Sequence, residues 1–201
     1  PAFKAAVTEA DVQSIMGAYN AVNGVPATAN DGLLTEVLRE EWEFDGYVVS
    51  DCGAINDIVY DHKYETDPEK AVAMAVKAGT DLECETCLGE NFMYNKYLPG
   101  AVEKGYISEE TIDKAVERLF RARFRLGEFD PKEKDPWRDL SKSELETREN
   151  QQLALQVARE SMVLLKDDNN TLPLDQVRID QDAASGPNAN VARLGGYAGS
   201  P

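Results

Sequence analysis

Basic side chains are scarce in this chain: 21 Lys and Arg stand against 37 Asp and Glu, for a formal charge of −16. A nucleic acid or an anionic membrane surface needs a basic face to neutralise phosphate, so neither is expected as a partner. Histidine occurs once, at His62, and cysteine three times, at Cys52, Cys84 and Cys87. Three cysteines are too few, and an odd number, for a disulfide scaffold. Cys84-Glu-Thr-Cys87 has the C-x-x-C spacing of a redox or zinc half-site, but zinc requires two further ligands that one histidine cannot supply. No metal site is therefore expected, and no cofactor is implied either. No apolar stretch approaches the roughly 20 residues of a membrane-spanning helix. The chain also opens at Pro1 without an initiating Met, which we read as processing or truncation. Localisation stays open on that account, a secreted or periplasmic place being compatible.

What is present suits a globular protein. Hydrophobic residues make up 42% of the 201 positions and aromatics 8%, enough for one ordinary domain or pieces of two. Ser14 to Tyr19 is a short, mostly apolar run that reads as a buried strand. Asn20 to Pro26 follows as a turn-rich loop around Asn23-Gly24. Asn30 or Asp31 can then cap a helix whose apolar residues, Leu33, Leu34, Val37, Leu38 and Trp42, keep the helical period. A second strand, Tyr47-Val-Val-Ser50, leads through a long loop containing His62. Asp67-Pro68 is a cap and first-turn pair for the next helix, which stops at Gly79. A brief segment at 80–83 and a helical stretch to about Lys104 complete a third unit.

This repetition is the rhythm of parallel β/α units, and the strands are apolar on both faces, as strands covered by helices should be. Ser108 caps one more helix, with Glu109 and Glu110 in its first turn, that Gly127 ends. Residues 128–146 are charged, aperiodic and broken by Pro131 and Pro136, and read as a linker. A helix from about Thr147 to Arg159, a strand at Met162 to Leu165 and a turn at 167–170 look like the opening of a second domain. Three β/α units are too few for a closed barrel of about 250 residues, so we expect a piece of a larger protein.

One carboxylate stands out. Asp51 comes directly after the apolar run Tyr47 to Ser50, and such a residue is either a cap for the next element or the working end of a site. In a β/α barrel the site is built at the C-terminal ends of the strands, which is where Asp51 lies. Asp81 and Glu83 occupy a similar place after the next strand, where a structural hydrogen-bonding role is the commoner fate.

Six ordered blocks make the chain recognisable: MGAYNAVNGVPATAN, LLTEVLREEWEFDGYVVSDCGAI, KAGTDLEC, RLFRARFRLGEFDP, ESMVLLKDDNNTLPL and GPNANVARLGGYAGSP. In this order they resemble glycoside hydrolase family 3, whose members include β-glucosidases, β-xylosidases and related exo-acting enzymes. The resemblance implies the C-terminal third of a (β/α)8 TIM barrel with its trailing helix at 1–127, a linker at 128–146, and the beginning of an α/β sandwich domain at 147–201. It implies that Asp51 is the catalytic nucleophile of a retaining hydrolysis of terminal β-linked xylose or glucose. The partner would be a β-linked oligosaccharide or glycoside.

The same resemblance places Tyr19 beside the nucleophile, its phenol holding the carboxylate by a hydrogen bond. Cys52 and His62 become candidate substrate-binding residues, although a solvated or loop-bracing imidazole serves equally for His62. Cys after the nucleophile is frequent in xylosidase-like members, where many β-glucosidases have Trp. Cys84 would neighbour Cys52 across the barrel rim, pairing as a disulfide or packing as a small apolar group, with packing as the default. The resemblance further puts several sugar-binding residues before Pro1 and the general acid/base, usually a Glu, beyond Pro201, so this stretch alone is expected to be inactive. The family usually has an apolar strand before GPNA. Here Ile179 to Ser185 carries two acids and a Gln, which suits a distorted strand or a locally scrambled sequence. A non-catalytic carbohydrate-binding or structural remnant is the rival reading. It would be marked by loss of the nucleophile, and Asp51 is present.

Overall fold

The computed structural model describes residues 1–85, 92–137, 139–168, 172–175, 177, 185–187 and 189–191. The chain divides into two units, Pro1–Asp139 and Leu140–Pro201.

In the first unit a short helix, α1 (Ala2–Thr8), precedes strand β1 (Ser14–Gly17). A hairpin comes next, β2 (Ala21–Val22) against β3 (Val25–Pro26). Asn23 and Gly24 turn it with φ of 52° and 84°, the positive values that let a two-residue turn match the twist of its strands. The stretch expected to be loop is thus a minimal ladder. A helix at Gly32–Glu41 is wound in the wide π form, and Asn30 caps it by accepting from the Leu33 amide at 3.0 Å. Its Leu34 and Leu38 join Val7, Phe44 and Val48 in a buried apolar cluster.

Strand β4 (Tyr47–Ser50) runs parallel to β1, with Ser14 opposite Tyr47 and Gly17 opposite Ser50. Gly46 is required at the entry to this pairing. A Cβ there would collide with the Gln13 carbonyl and lie 2.6 Å from the Phe44 ring. On the other side of β4 the 80–83 segment adds a third parallel line. Leu82 bridges Val49, the Ser50 amide donates to the Leu82 carbonyl at 2.8 Å, and the Asp81 amide donates to the Val48 carbonyl at 2.9 Å.

Between these lines the sequence 54–66, expected to be loop, contains helix α2 (Ala54–Tyr60), which starts from Gly53 at φ 87°. Seven residues are too few for a helical period to declare itself, and packing makes the helix: Ile55 and Ile58 are fully buried. Helix α3 (Pro68–Ala78) has the anticipated ends. The Asp67 side chain accepts from the Glu69 amide at 3.0 Å, Pro68 opens the first turn, and Gly79 closes at φ 110°. It buries Val72 and Val76 among alanines, each valine contributing about 1.5–3 kcal/mol when fully removed from water. Helix α4 (Met93–Glu103) and helix α5 (Glu109–Arg125) pack on α3. The Ser108 hydroxyl accepts from the Thr111 amide at the start of α5, as expected. Together α2 to α5 enclose the larger apolar cluster.

Among the described residues of 128–146 there are two single 3-10 turns, Lys132–Lys134 and Lys142–Glu144. In the second unit helix α6 (Arg148–Glu160) starts at Thr147, whose hydroxyl accepts from the Asn150 amide at 3.2 Å. The strand expected at Met162 to Leu165 is not formed. The residues are exposed, and among the described residues no neighbour ladders with them. A β-branched and leucine run is a strand only where another strand satisfies its backbone. Of the polar stretch 179–185 only Ser185 falls within the described residues.

Candidate active site

Asp51 stands immediately after β4, partly exposed, at the C-terminal end of the parallel lines. Its backbone is fixed from both sides: the Asp51 amide donates to the Gly17 carbonyl at the end of β1, and the Asp51 carbonyl accepts from the Ala54 amide, both at 3.0 Å. The carboxylate accepts from the amide of the next residue, Cys52, at 2.8 Å. Strand pairing therefore sets the main chain, and a local turn aims the side chain.

Tyr19 lies close by, but with a different bond from the one expected. Its hydroxyl donates to the Cys52 carbonyl at 2.6 Å. A phenol has a single proton to donate, so the Asp51 carboxylate takes its donor from the Cys52 backbone instead. Cys52 thus links the two residues, its N–H on Asp51 and its C=O on Tyr19.

His62 does not act alone either. Its Nε2 is 2.7 Å from the Tyr19 carbonyl. A carbonyl only accepts, so Nε2 carries the proton, and the ring braces the loop that holds Tyr19. Of the two roles open to His62, the loop brace is the one its contact describes.

Cys52 and Cys84 are joined in a disulfide, and packing as free thiols is set aside. The strand register explains it. Val49 and Leu82 face each other across a parallel bridge, and the two cysteines, 32 positions apart, sit just past the ends of the same lines. The chains leave the strands side by side, and the Gly53 amide donates to the Cys84 carbonyl while the Cys84 amide donates to the Ser50 hydroxyl, both at 2.9 Å. Cys87 lies outside the described residues, so the C-x-x-C reading rests there; among the described residues no group of metal-ligating side chains comes together.

The two other strand-end acids are structural. The Asp81 side chain is fully buried between Arg39, at 2.7 Å, and Arg118, at 2.8 Å, and also accepts from the Val48 amide at 2.9 Å. Burial pulls the Arg39 pKa down, chiefly by desolvation, against the opposing pull of Asp81. Removing Asp81 from this cluster costs about 3–5 kcal/mol, because the largely buried Arg39 is left unpaired. Glu83 accepts from the Met93 and Tyr94 amides at 2.8 and 2.7 Å, closing the N-terminus of α4. Desolvation raises its pKa, opposed by those two amide bonds. This cap was not legible in sequence, since the acid lies ten residues ahead of the helix it serves.

A parallel α/β rim carrying one braced, partly exposed carboxylate at a strand end defines a TIM-barrel-like α/β protein with an enzyme's kind of site. Comparison with known proteins makes this specific. Residues 1–122 match the glycosyl hydrolase family 3 N-terminal domain, and the chain belongs to that family. It is 40% identical over 204 residues to a β-xylosidase/α-L-arabinofuranosidase of Medicago sativa subsp. varia, covering 100% of this chain and 26% of that protein. A xylan 1,4-β-xylosidase of Xylanibacter ruminicola is 41% identical, over 100% of this chain and 23% of that protein. Among solved structures, a family 3 exo-β-xylosidase bound to a xylobiose aziridine probe superposes with a TM-score of 0.76 at 38% identity, over 87% of this chain and 22% of its own. A Listeria innocua β-glucosidase in complex with glucose gives 0.73 at 37%, over 87% and 23%. The chain spans about a quarter of the length of the curated relatives it matches.

Proposed function

We propose that this chain supplies the catalytic nucleophile, Asp51, of a longer enzyme that hydrolyses terminal non-reducing β-D-xylosidic or β-D-glucosidic bonds with retention. The observation that carries the reading is the place of Asp51: a partly exposed carboxylate at the end of a central parallel strand, its main chain tied to β1 and its side chain aimed by the Cys52 amide. Family membership supports it, as do the xylosidase and glucosidase names of the relatives.

In the proposed reaction the ionised Asp51 attacks the anomeric carbon while a second carboxyl group, about 5–5.5 Å from it, protonates the departing oxygen. A covalent glycosyl ester on Asp51 results. Water then attacks the same carbon, activated by the second group now acting as base, and frees Asp51. Asp81 and Glu83 are already engaged by arginines and by backbone amides, and the family resemblance assigns the acid/base to another part of the longer enzyme. Tyr19 and Cys52 form the wall next to the nucleophile, and His62 supports that wall from behind.

For the domains, we propose the C-terminal third of the barrel at 1–127, a linker at 128–146 and the start of a second α/β domain at 147–201. Three adjacent parallel lines, at β1, β4 and 80–83, support the first of these. The function is tested with the full-length enzyme and a dinitrophenyl 2-deoxy-2-fluoro-β-xyloside. Covalent label on the peptide containing Asp51, lost in Asp51→Ala together with turnover, is the expected result. Label elsewhere, or wild-type turnover in Asp51→Ala, overturns the reading.

A further inference from the structure

We infer that Asp81 is a positioning residue for the nucleophile, setting the height of β4 through a buried clasp with Arg39 and Arg118. The inference rests on the proposed role of Asp51. Asp81 sits on the line next to β4 and grips Val48 twice: its amide donates to the Val48 carbonyl and its carboxylate accepts from the Val48 amide, both at 2.9 Å. A residue on a neighbouring strand ordinarily offers only backbone groups to its partner. Here a side chain takes one ladder position, and that side chain is fully buried.

The arginines carry the grip outward. Arg39, on the π-helix, donates to Asp81 at 2.7 Å, to the Gly46 carbonyl at the entry of β4 at 2.9 Å, and to the Gly79 carbonyl at the end of α3 at 3.1 Å. Arg118 reaches the other carboxylate oxygen from α5 at 2.8 Å. One carboxylate therefore ties β4, the 80–83 line, the π-helix and α5 together at a single level. Val48 is three residues, about 10 Å of strand, from Asp51. The far end of the same 80–83 line carries Cys84, bonded to Cys52 beside the nucleophile. Sliding β4 against this line would move Asp51 relative to the wall that contacts the sugar.

A purely structural role and a positioning role differ in what they do to the folded enzyme. The fluorinated dinitrophenyl xyloside separates them, because its leaving group departs without protonation and its labelling rate reports attack by Asp51 itself. In the full-length enzyme, Asp81→Asn keeps the side-chain shape and loses the charge that holds both arginines. We expect its saturating labelling rate to fall about 100-fold, the scale of an ångström's misplacement of a reacting group, with the saturation constant changed by less than about threefold. Arg39→Lys keeps a positive charge but loses the fork to Gly46 and Gly79, and its rate should fall about tenfold with the same constant. Wild-type labelling rates in folded Asp81→Asn overturn the inference, as does a loss confined to the saturation constant. If Asp81→Asn does not fold, Arg39→Lys decides alone: an unchanged rate overturns the inference and a lowered one supports it. Should wild-type enzyme label at a residue other than Asp51, the proposed function fails and the inference with it. If wild type labels at Asp51 and the variants label equally fast, only the positioning role fails.

Discussion

The hydroxyl of Tyr19 donates to the backbone carbonyl of Cys52 at 2.6 Å, and the amide of that same residue holds the Asp51 carboxylate at 2.8 Å. Tyr19 is therefore tied to the Asp51 carboxylate through the backbone of one residue, Cys52. Holding the Cys52 carbonyl restrains the residue whose N–H, in the preceding peptide unit, meets the carboxylate.

Tyr19→Phe removes the hydroxyl and leaves the ring. The bond is exposed, so its loss should lower stability by no more than about 1 kcal/mol. The carboxylate loses the support that reaches it through Cys52, and kcat/KM should fall about tenfold, equivalent to about 1.4 kcal/mol. Steady-state kinetics beside a thermal melt check both halves. A melting change with unaltered kcat/KM would make Tyr19 a purely structural residue.

The disulfide at the rim closes a loop across a separation of 32 residues. By the chain-entropy argument this stabilises the native state by about 3–4 kcal/mol. Cys52→Ala should lower the melting temperature of the full-length enzyme, and reductant should lower that of wild type to a similar value while leaving the variant unmoved. An equal response of both proteins to reductant would place the effect at another bond.

Much of this fold was legible because its signals are local. Asp67, Pro68 and Gly79 bracket α3 within one helix length, and Ser108 and Thr147 each cap the helix that starts at the next residue. The apolar run into Asp51 marked the candidate site in the same way. The illegible remainder depends on partners distant in sequence. Helix α2 exists because Ile55 and Ile58 are buried in the cluster shared with α3, and Glu83 caps a helix whose first residue is ten positions away. The Cys52–Cys84 pairing comes from a parallel register that no spacing rule states. Met162 to Leu165 shows the converse: a run of strong strand propensity, with no partner among the described residues, is exposed chain. For Tyr19 the expected acceptor was the Asp51 carboxylate, and the acceptor found is the Cys52 carbonyl, a choice set by the path of the loop between the two strand ends.

Glu83 yields a prediction with a definite sign. Its pKa is raised, by desolvation first and against two amide bonds. For an acid whose folded pKa exceeds its unfolded one, the stabilisation is fully present below the unfolded value and is lost as pH rises through the folded value. Wild type should therefore lose stability relative to Glu83→Gln, which does not titrate, as pH rises from just below the ordinary glutamate range through the raised pKa. Thermal melts of the two proteins across that window check it, with the gap between them narrowing or reversing in favour of Gln. A gap that widens in favour of wild type would mean that the two amides at the start of α4 outweigh burial.

Substrate preference is the last prediction, and it turns on the wall beside Asp51. Xylose and glucose differ by the hydroxymethyl group on C5, so the room left for that group in the substrate site decides between them. In this chain the residue after Asp51 belongs to the Cys52–Cys84 bridge, which the Gly53 and Cys84 amides fix to the strand ends. A braced wall of this kind cannot retreat as a free side chain does. We expect the full-length enzyme to favour nitrophenyl β-xyloside over the glucoside modestly, since one small group against an apolar wall is worth about 1–3 kcal/mol, or roughly 10–200-fold at most. Replacing both cysteines by Ala should remove the brace and shift the ratio of kcat/KM values toward the glucoside, without moving the site of covalent labelling from Asp51. A wild-type preference for glucoside above about tenfold, some 1.4 kcal/mol in the transition state, reverses the assignment. A ratio that does not respond to the double replacement would show that the hydroxymethyl group points away from the bridge.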